Sequence, residues 1–424
     1  MLLAYYGDDF TGSTDVLETL AAAGLAADLC VSPVAAAERL AGGSLPATEA
    51  IGIAGLSRTF SPGEMEAALP AAFATLASAS PRFFHYKVCS TFDSTPKTGS
   101  IGRAIEIGRR VLPARWTPVV VAAPHLGRWS AFGNLFARSG LDSPVYRLDR
   151  HPTMSRHPVT PMDEADLRLV LTRQTDLPVS LIDLPTVEHG IDAAWDAITR
   201  FPDGIVLFDA TTTAHLATIG AVLDRMQREM ARPLFMAGSS GIETALTAAG
   251  VFGAATSGLP AEPLPPGPLF VISGSRSPVT RRQIEAALAA GFHDLPLSPT
   301  ATAGDDDEPI AGATTAHREG RSVILRPGDG DFTAIAGSDL GRLLGHVAGR
   351  ILQSAAFRRV VVAGGDTSGE VARQLEITSL RYAAPLAPGA PWCRVASPSA
   401  VAGCVCSFKG GQVGRDDFLL SAAR

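Results

Sequence analysis

Short apolar runs rich in Val, Ile and Leu alternate along the chain with longer stretches rich in Ala and Leu. The runs are found in LLAYY, AIGIAGL, PVVVAAP, GIVLFDA, PLFMAG, PLFVISG, RSVILRP and FRRVVVAGG. Continuous apolar runs are typical of strands buried on both faces, and the amphipathic stretches between them are typical of covering helices. The pattern predicts an α/β protein in which a mostly parallel sheet is flanked by helices.

A proline-rich segment divides this pattern in two. Residues 257–268, SGLPAEPLPPGP, contain five prolines and cannot continue a helix or a central strand. A chain of 424 residues is also too long for one ordinary domain. We therefore predict an N-terminal domain over 1–256, a linker over 257–268 and a C-terminal domain over 269–424, each with its own mostly parallel sheet.

Composition narrows the functional classes. Hydrophobic residues make up 46% and charged residues 18% of the chain, and no apolar run is long enough to span a bilayer. A formal charge of -6 without a basic face argues against a nucleic-acid partner. Five cysteines without a C-x-x-C pair, and no secretory signal, favour reduced thiols in the cytoplasm. An anionic ligand would need local basic residues.

Polar side chains follow the predicted strands of the N-terminal domain. Asp8 and Asp9 come directly after the first strand, Arg58 follows the second run, and Lys87 closes a strand before a loop rich in hydroxyl groups. Open α/β sheets bind ligands at the carboxyl ends of their strands. Arg or Lys suits a carboxylate, while Asp, Ser and Thr suit hydroxyl groups, so we expect a small polyhydroxylated anion here.

The strand ends of the C-terminal domain carry glycine-rich loops, each before a helix or turn. These loops contain Gly274 and Ser275, then Gly364, Gly365, Asp366 and Thr367, and finally Lys409, Gly410 and Gly411. Glycine lets the backbone approach a ligand closely, and helix N-termini favour phosphate oxygens. The pattern predicts a nucleotide site, although neither a Walker A motif nor a dinucleotide fingerprint is present.

Several features also have structural explanations. An Asp pair at a strand end often serves as a helix cap, and Arg58 or Lys87 taken singly would be a surface residue. In GSSGIE, Ile242 breaks the G-x-S-x-G motif of a serine hydrolase, and Ser240 with Glu243 fits a capping box. A hydrolase using Asp8 lacks the D-x-D spacing. A non-catalytic sugar-acid sensor would need only the first set of loops.

The motifs taken together resemble the four-carbon acid sugar kinase family over nearly the whole chain. GDDFTGSTD, SRTF, the stretch from Lys87 to Gly102, GSSG, GSRSPVTRRQ, GGDTSG and FKGGQVG occur in the family's order. The resemblance implies an N-terminal acid-sugar-binding domain and a C-terminal nucleotide-binding domain. It also implies phosphorylation by ATP of the terminal hydroxyl of erythronate, threonate or 2-oxo-tetronate, with the Asp pair forming one wall of the sugar-acid pocket.

One stretch departs from the family pattern. The family usually reads K-V-D-S-T-L-R-G-N-I-G, whereas this chain has KVCSTFDSTPKTGSIG, which is longer and lacks the Arg. The family's D-S-T is replaced by Cys89, Ser90 and Thr91 or restored by Asp93, Ser94 and Thr95 after an insertion. We prefer the second alignment because it keeps the carboxylate. The missing Arg makes a related branched or oxo acid, such as 3-oxo-isoapionate, a candidate substrate.

The predicted mechanism is phosphoryl transfer in a cleft between the two domains, which close over both ligands. The glycine loops would hold the phosphates of ATP with Mg²⁺, and Lys409 would stabilise charge in the transition state. The base near the attacking hydroxyl group is Asp9 or Asp366. We slightly prefer Asp9 as the partner of the hydroxyl group and Asp366 as the partner of the nucleotide or metal. The metal ligands are left unassigned, and a homodimer is left open.

Overall fold

The computed structural model describes residues 1–42, 48–140, 143–157, 159–230, 232–253, 258–298, 306–328 and 337–424. Of Asp366 it describes the backbone alone. The last residues of the predicted N-terminal domain and Ser257, the first of the predicted linker, lie outside the described residues.

The strands are β1 (Leu3–Gly7), β2 (Ala27–Cys30), β3 (Ala50–Ala54), β4 (Phe83–Lys87), β5 (Trp116–Val120), β6 (Arg128–Ala131), β7 (Asn134–Arg138), β8 (Val145–Arg147), β9 (Val179–Ile182), β10 (Gly204–Phe208), β11 (Leu234–Gly238), β12 (Leu269–Ser273), β13 (His293–Leu297), β14 (Val323–Pro327), β15 (Arg359–Ala363), β16 (Ser379–Ala387), β17 (Ala390–Ala396) and β18 (Val405–Lys409). Each of the apolar runs named above overlaps one of these strands.

The α-helices are α1 (Phe10–Ala22), α2 (Pro33–Ala41), α3 (Pro62–Ala77), α4 (Ile101–Val111), α5 (Leu167–Thr172), α6 (Leu184–Glu188), α7 (Ile191–Thr199), α8 (Thr213–Met230), α9 (Gly241–Ala248), α10 (Pro278–Ala289), α11 (Asp307–Arg318), α12 (Gly337–Ser354), α13 (Gly365–Gln374) and α14 (Phe418–Ala423). Short 3₁₀ turns include Ser57–Thr59 and Pro124–Leu126. No helix in the described ranges is long and apolar enough to cross a lipid bilayer.

The chain forms two compact units. The first contains Met1–Asp8, Thr19–Leu25 and Ala36–Gly258, and the second contains Asp9–Glu18, Ala26–Ala35 and Leu259–Arg424. The sequence pattern placed all residues before the linker in one domain, whereas these units group two N-terminal segments with the C-terminal part of the chain. The predicted domain limits stay a prediction.

The sheet of the first unit has the strand order β3-β1-β4-β11-β5-β10-β9, and all its neighbouring strands are parallel. A separate antiparallel sheet has the order β6-β7-β8. Parallel neighbours require crossover connections, which the intervening helices provide. The predicted α/β class is confirmed. One edge of this sheet is called the carboxyl edge below. It is the edge at which the following strands end: β1, β3, β4, β5, β10 and β11.

The sheet of the second unit has the order β13-β14-β12-β15-β18-β17-β16-β2. Its strands from β13 to β18 in this order are parallel, and the pairs β18-β17, β17-β16 and β16-β2 are antiparallel. The sequence pattern did not predict the β16-β17 hairpin, because its strands are less uniformly apolar than the parallel ones.

Aromatic rings fill the core between the first sheet and α3. Phe73 of α3 makes edge contacts with Tyr6, Phe84 and Tyr86, with ring centroids 5.3 to 5.9 Å apart. The helix begins with the predicted capping box, in which Ser61 and Glu64 exchange side-chain and backbone hydrogen bonds. This packing fixes the ends of β1 and β4, which carry the polar side chains described next.

Candidate functional site

Parallel strands bring residues that are distant in the sequence to the carboxyl edge of the first unit. Asp8 follows β1, Arg58 lies in the turn after β3, and Lys87 ends β4. The backbone N–H of Asp8 donates to the carbonyl oxygen of Lys87 at 2.8 Å, and the N–H of Arg58 donates to that of Asp8 at 3.0 Å. Backbone hydrogen bonds therefore hold these three predicted residues side by side.

Asp8 and Arg58 form an ion pair. Arg58 Nη2 lies 2.8 Å from Asp8 Oδ1, and Arg58 Nε lies 3.3 Å from Oδ2, so the contact is bidentate. The Asp8 side chain is 6% exposed and the Arg58 side chain is 22% exposed. Much of the Arg58 charge is therefore matched by a carboxylate of its own chain before any ligand binds.

Lys87 is buried, with 3% of its surface exposed. The interpretation of Lys87 as an ordinary surface residue is therefore wrong. The next residue, Val88, donates its N–H to the carbonyl oxygen of Gly238 at the end of β11. A lysine held in this way on a carboxyl edge can bind an anionic ligand at close range, because little water screens it.

Asp93 is also buried, in the loop that follows β4. Thr91 Oγ1 donates to Asp93 Oδ1 at 2.5 Å, and Thr160 Oγ1 donates to Oδ2 at 3.3 Å. Burial alone would raise the pKa of Asp93, but the charge of Arg58, the Thr91 hydroxyl and the charge of His157 together hold this pKa below its usual value. The loop thus presents an ionised carboxylate near Arg58.

The hydroxyl groups of Ser94 and Thr95 take part in local hydrogen bonds. Ser94 Oγ donates to the carbonyl oxygen of Phe92 and accepts from Gln174 Nε2 at 2.8 Å, while Thr95 Oγ1 accepts from the N–H of Thr98 at 2.9 Å. Gln174 Oε1 also accepts from the N–H of Gly102 in α4. Sequence reasoning missed Gln174, because no local motif connects it with a loop that is distant in the chain.

Asp9 caps the helix that follows the first strand. Its Oδ1 accepts from the N–H of Gly12 at 2.6 Å, its Oδ2 accepts from Thr11 Oγ1 at 3.2 Å, and its carbonyl oxygen accepts from Ser13. These bonds satisfy donors at the start of α1. The structural explanation of the second Asp is thus correct. Whether Asp9 also acts as the base stays a prediction.

The expected capping box at Ser240 and Glu243 is wrong. Ser240 precedes α9 but makes no capping hydrogen bond with its side chain. Glu243 is fully buried, and its Oε1 lies 2.6 Å from His85 Nδ1, while His85 Nε2 faces the carbonyl oxygen of Gly238. The buried histidine competes for the glutamate, and this long-range partner could not be found from the local sequence.

Asp209 is a further buried carboxylate on the carboxyl edge. It follows β10, and both of its oxygens accept from the N–H of Gly133, at 3.1 and 3.2 Å. Burial raises the pKa of Asp209 to about 6, although backbone hydrogen bonds oppose the shift. The signal that identified Asp8, an acid directly after an apolar run, is also present here in GIVLFDA, but the sequence analysis did not use it.

The glycine loops of the second unit meet one another. β12, β15 and β18 are parallel neighbours. The N–H of Gly274 donates to the carbonyl oxygen of Ala363 at 3.1 Å, and the N–H of Gly364 donates to that of Lys409 at 2.9 Å. A Cβ at Gly411 would lie 2.7 Å from Ser275 Oγ, so a larger residue here would displace the Ser275 side chain. The three predicted loops form one backbone-lined surface.

Lys409 lies beneath these loops and is fully buried. Its Nζ donates to Thr280 Oγ1 at 3.0 Å, and Thr280 Oγ1 donates to the carbonyl oxygen of Gly411 at 2.7 Å. The ammonium group also lies 5.6 Å from the centroid of the Phe418 ring. Burial lowers the pKa of Lys409 to about 8. Such a lysine favours a nearby anion that would restore its charge.

Helices begin directly after two of the glycine loops. Ser277 caps α10 by accepting from the N–H of Val279, and Pro278 occupies the first helical position, as expected. Asp366 lies in the first turn of α13, but its side chain falls outside the part of the chain that the structure describes. The described residues contain no group of three His, Cys, Asp or Glu side chains that could hold a metal ion.

Comparison with known proteins finds a family model for each half of the chain. Residues 3–246 match the family model of a sugar-binding N-terminal domain, and residues 270–419 match that of a nucleotide-binding C-terminal domain. A 3-oxo-isoapionate kinase from Paraburkholderia graminis is 44% identical, and the alignment covers 99% of this chain and 93% of that protein. A 3-oxo-tetronate kinase from Cupriavidus necator is 32% identical, with 100% and 96% covered.

The chain belongs to the four-carbon acid sugar kinase family. This confirms the resemblance noted in the sequence. Solved structures support the family fold: a protein from Salmonella typhimurium LT2 aligns with a TM-score of 0.80 at 24% identity, covering 100% of this chain and 99% of that one. A Haemophilus influenzae protein aligns with a TM-score of 0.74 at 22% identity, covering 99% and 98%.

The ion pair between Asp8 and Arg58 gives a first prediction. Arg58→Ala leaves the Asp8 carboxylate buried without its bidentate partner. We expect a loss of roughly 2–3 kcal/mol in the free energy of unfolding, below the cost for fully buried pairs because Arg58 is partly exposed. Urea denaturation at pH 7 measures this loss. The double variant Asp8→Asn/Arg58→Ala should recover part of it; equal losses in both variants would contradict the assignment.

Burial of Lys409 gives a second prediction. Lys409 is mostly protonated only below about pH 8. If its charged form binds the phosphates of ATP, ATP binding above that pH requires uptake of a proton. The dissociation constant for ATP should therefore rise above pH 8 by up to about tenfold per pH unit. Titration calorimetry from pH 6.5 to 9.5 measures this. Lys409→Met should bind ATP more weakly with a flat profile, while Lys97→Met, at an exposed position of the first unit, should behave as wild type.

Proposed function

We propose that the protein transfers the γ-phosphate of ATP to a hydroxyl group of a small sugar acid, and that 3-oxo-isoapionate is its first candidate substrate. 3-Oxo-tetronate is the second. The observation that carries the proposal is the pairing of two different strand-end sites in one chain. One site is lined by charged groups on a carboxyl edge, and the other is lined by glycine backbone over a buried lysine.

On the substrate side, Arg58 and Lys87 supply positive charge, and Asp8, Asp9, Asp93, Ser94 and Thr95 supply partners for substrate hydroxyl groups. The ionised Asp93 beside two hydroxyl side chains supports the alignment in which Asp93, Ser94 and Thr95 stand for the family's D-S-T. A carboxylate there can accept hydrogen bonds from a polyol.

On the nucleotide side, Gly274, Ser275, Gly364, Gly365, Thr367, Gly410 and Gly411 surround the phosphates. Their backbone N–H groups and the N-termini of α10 and α13 favour phosphate oxygens. Lys409 would stabilise the charge that develops during transfer. Mg²⁺ carried by ATP would neutralise phosphate charge, and it needs only one or two protein carboxylates. Asp366 is the acid nearest in sequence to the phosphates and would supply one.

A non-catalytic sensor is not favoured, because a sensor has no use for the second set of loops. The placement of both ligands in a cleft between the domains, the cytoplasmic location and a homodimer stay predictions.

The direct test is an activity panel. The purified protein is mixed with ATP, Mg²⁺ and, in turn, 3-oxo-isoapionate, 3-oxo-tetronate, erythronate and threonate, and ADP release is measured. We expect 3-oxo-isoapionate to be phosphorylated with the highest kcat/KM, because the loop from Cys89 to Thr98 differs from the pattern usual in the kinases of four-carbon acids. Binding of the acids without ADP release would support the sensor instead.

The variant Asp9→Asn tests whether Asp9 is the base that accepts the proton of the attacking hydroxyl group. Asn is as good a helix cap as Asp, so Asp9→Asn should keep α1 intact while removing the basic group. If Asp9 accepts the proton of the attacking hydroxyl, kcat should fall by about 10² to 10⁴ with little change in KM.

Two companion variants complete this experiment. Asp8→Asn should have a smaller effect on kcat and a larger one on stability, because its carboxylate is bound to Arg58. Near-normal turnover in Asp9→Asn, together with loss of turnover in an Asp366→Asn variant that still binds ATP, would identify Asp366 as the base instead.

A further inference from the structure

Arg128 is held rigidly on the carboxyl edge of the first unit. After β5, the chain makes a 3₁₀ turn over Pro124–Leu126 and reverses at Gly127, whose φ of 71° is left-handed. The N–H of Arg128 donates to the carbonyl oxygen of Ala123 at 3.2 Å, and the N–H of Ala123 donates back at 3.1 Å. The turn therefore fixes the backbone of Arg128 beside a strand end.

The guanidinium group of Arg128 is oriented by backbone carbonyls. Its Nη1 donates to the carbonyl oxygens of Leu126, Gly127 and Arg138 at 3.1, 3.0 and 3.0 Å. Its Nε is buried and finds no hydrogen-bond acceptor in the part of the chain that the structure describes. Within the described residues, Arg128 forms no ion pair with an Asp or Glu side chain. This arginine is thus preorganised and has donor capacity to spare.

Arg128 differs from Arg58 in how the charge of its guanidinium group is compensated. Arg58 already has a bidentate carboxylate partner in Asp8, whereas the Arg128 charge is only partly solvated by carbonyl dipoles. Burial lowers the pKa of Arg128. An unpaired, partly buried charge is unfavourable, and a bound anion would relieve the cost.

Arg128 follows β5, and only β11 separates β5 from β4, the strand that ends at Lys87. Burial and the charge of Asp93 raise the pKa of the Cys89 thiol, and the charge of Arg58 lowers it. The charge of an ionised Cys89 would raise the pKa of Arg128. Such charge interactions act over short distances. Cys89 therefore has Asp93 and both arginines in its surroundings.

We propose that Arg128, rather than the ion-paired Arg58, is the principal partner of the substrate carboxylate. The proposal rests on the proposed function only in taking the ligand to be a sugar acid. A carboxylate reaching Nη2 would bring a full negative charge to this guanidinium group, whose planar shape matches that of a carboxylate. Arg58 and Lys87 then face the oxo and hydroxyl groups of the same molecule.

The test compares acids with a neutral analogue. Calorimetry without nucleotide measures the binding of 3-oxo-isoapionate, threonate and threonamide, in which an uncharged amide replaces the carboxylate. In Arg128→Gln, the affinity for the acids should fall by about 30- to 100-fold while that for threonamide changes less than about threefold. Arg128→Lys, which keeps the charge but not the planar fork, should lie between.

Arg109→Gln is the matched control. Arg109 is also partly buried, its guanidinium also donates to backbone carbonyls, and burial also lowers its pKa. It contacts Thr117 and Gly204, at the opposite ends of β5 and β10 from the carboxyl edge. Arg109→Gln should keep the wild-type preference for acids.

The outcomes separate this proposal from the kinase assignment. If Arg128→Gln or Arg128→Lys keeps the wild-type ratio of acid to amide affinity, or if the wild type shows no preference for acids, the proposal is wrong, whatever the enzyme phosphorylates. If the wild type loses its acid preference only through Arg128 but releases no ADP with any acid, the carboxylate site stands and the kinase function fails.

Discussion

Parallel strands all end on the same edge of their sheet, and this constraint determines where chemistry can occur in the protein. In the first unit, it brings together Asp8, Arg58 and Lys87, which lie far apart in the sequence. In the second unit, it joins Gly274, Gly364 and the loop after Lys409. The two edges differ in chemistry because the residues after the strands differ, although the strands themselves are similar.

Charge compensation distinguishes the roles of the buried ionisable groups. Asp8 and Arg58 satisfy each other, so they mainly shape the site, and Asp93 is kept ionised by hydroxyl groups and nearby cations. Among the described residues, Lys409 donates only to a hydroxyl group, and Arg128 donates only to carbonyl oxygens. Since an unpaired buried charge is costly, the less compensated cations are the better candidates for binding anions.

Apolar runs and capping residues predicted most of the parallel strands and several helix starts correctly, because both signals are local. Other features depend on contacts between distant segments and have no local signal. They are the hairpin of β16 and β17, the grouping of Asp9–Glu18 with the C-terminal part, and the pairing of Glu243 with His85. The contacts of Gln174 with Ser94 and Gly102 also join segments that are distant in the sequence. Asp209 and Arg128 each follow the end of an apolar run, so the sequence does mark them as residues near a strand end. Which strand ends are neighbours can be decided only when the order of the strands in the sheet is known.

The central claim is that the sugar acid and the nucleotide bind to different strand edges. Hydrogen–deuterium exchange with each ligand alone tests it most directly. A non-hydrolysable ATP analogue should slow exchange in 274–280, 364–368 and 409–413 and leave 55–60, 88–100 and 123–130 unchanged, while the sugar acid should do the reverse. Protection of the 88–100 loop by the ATP analogue, without protection of the glycine loops, would contradict the account.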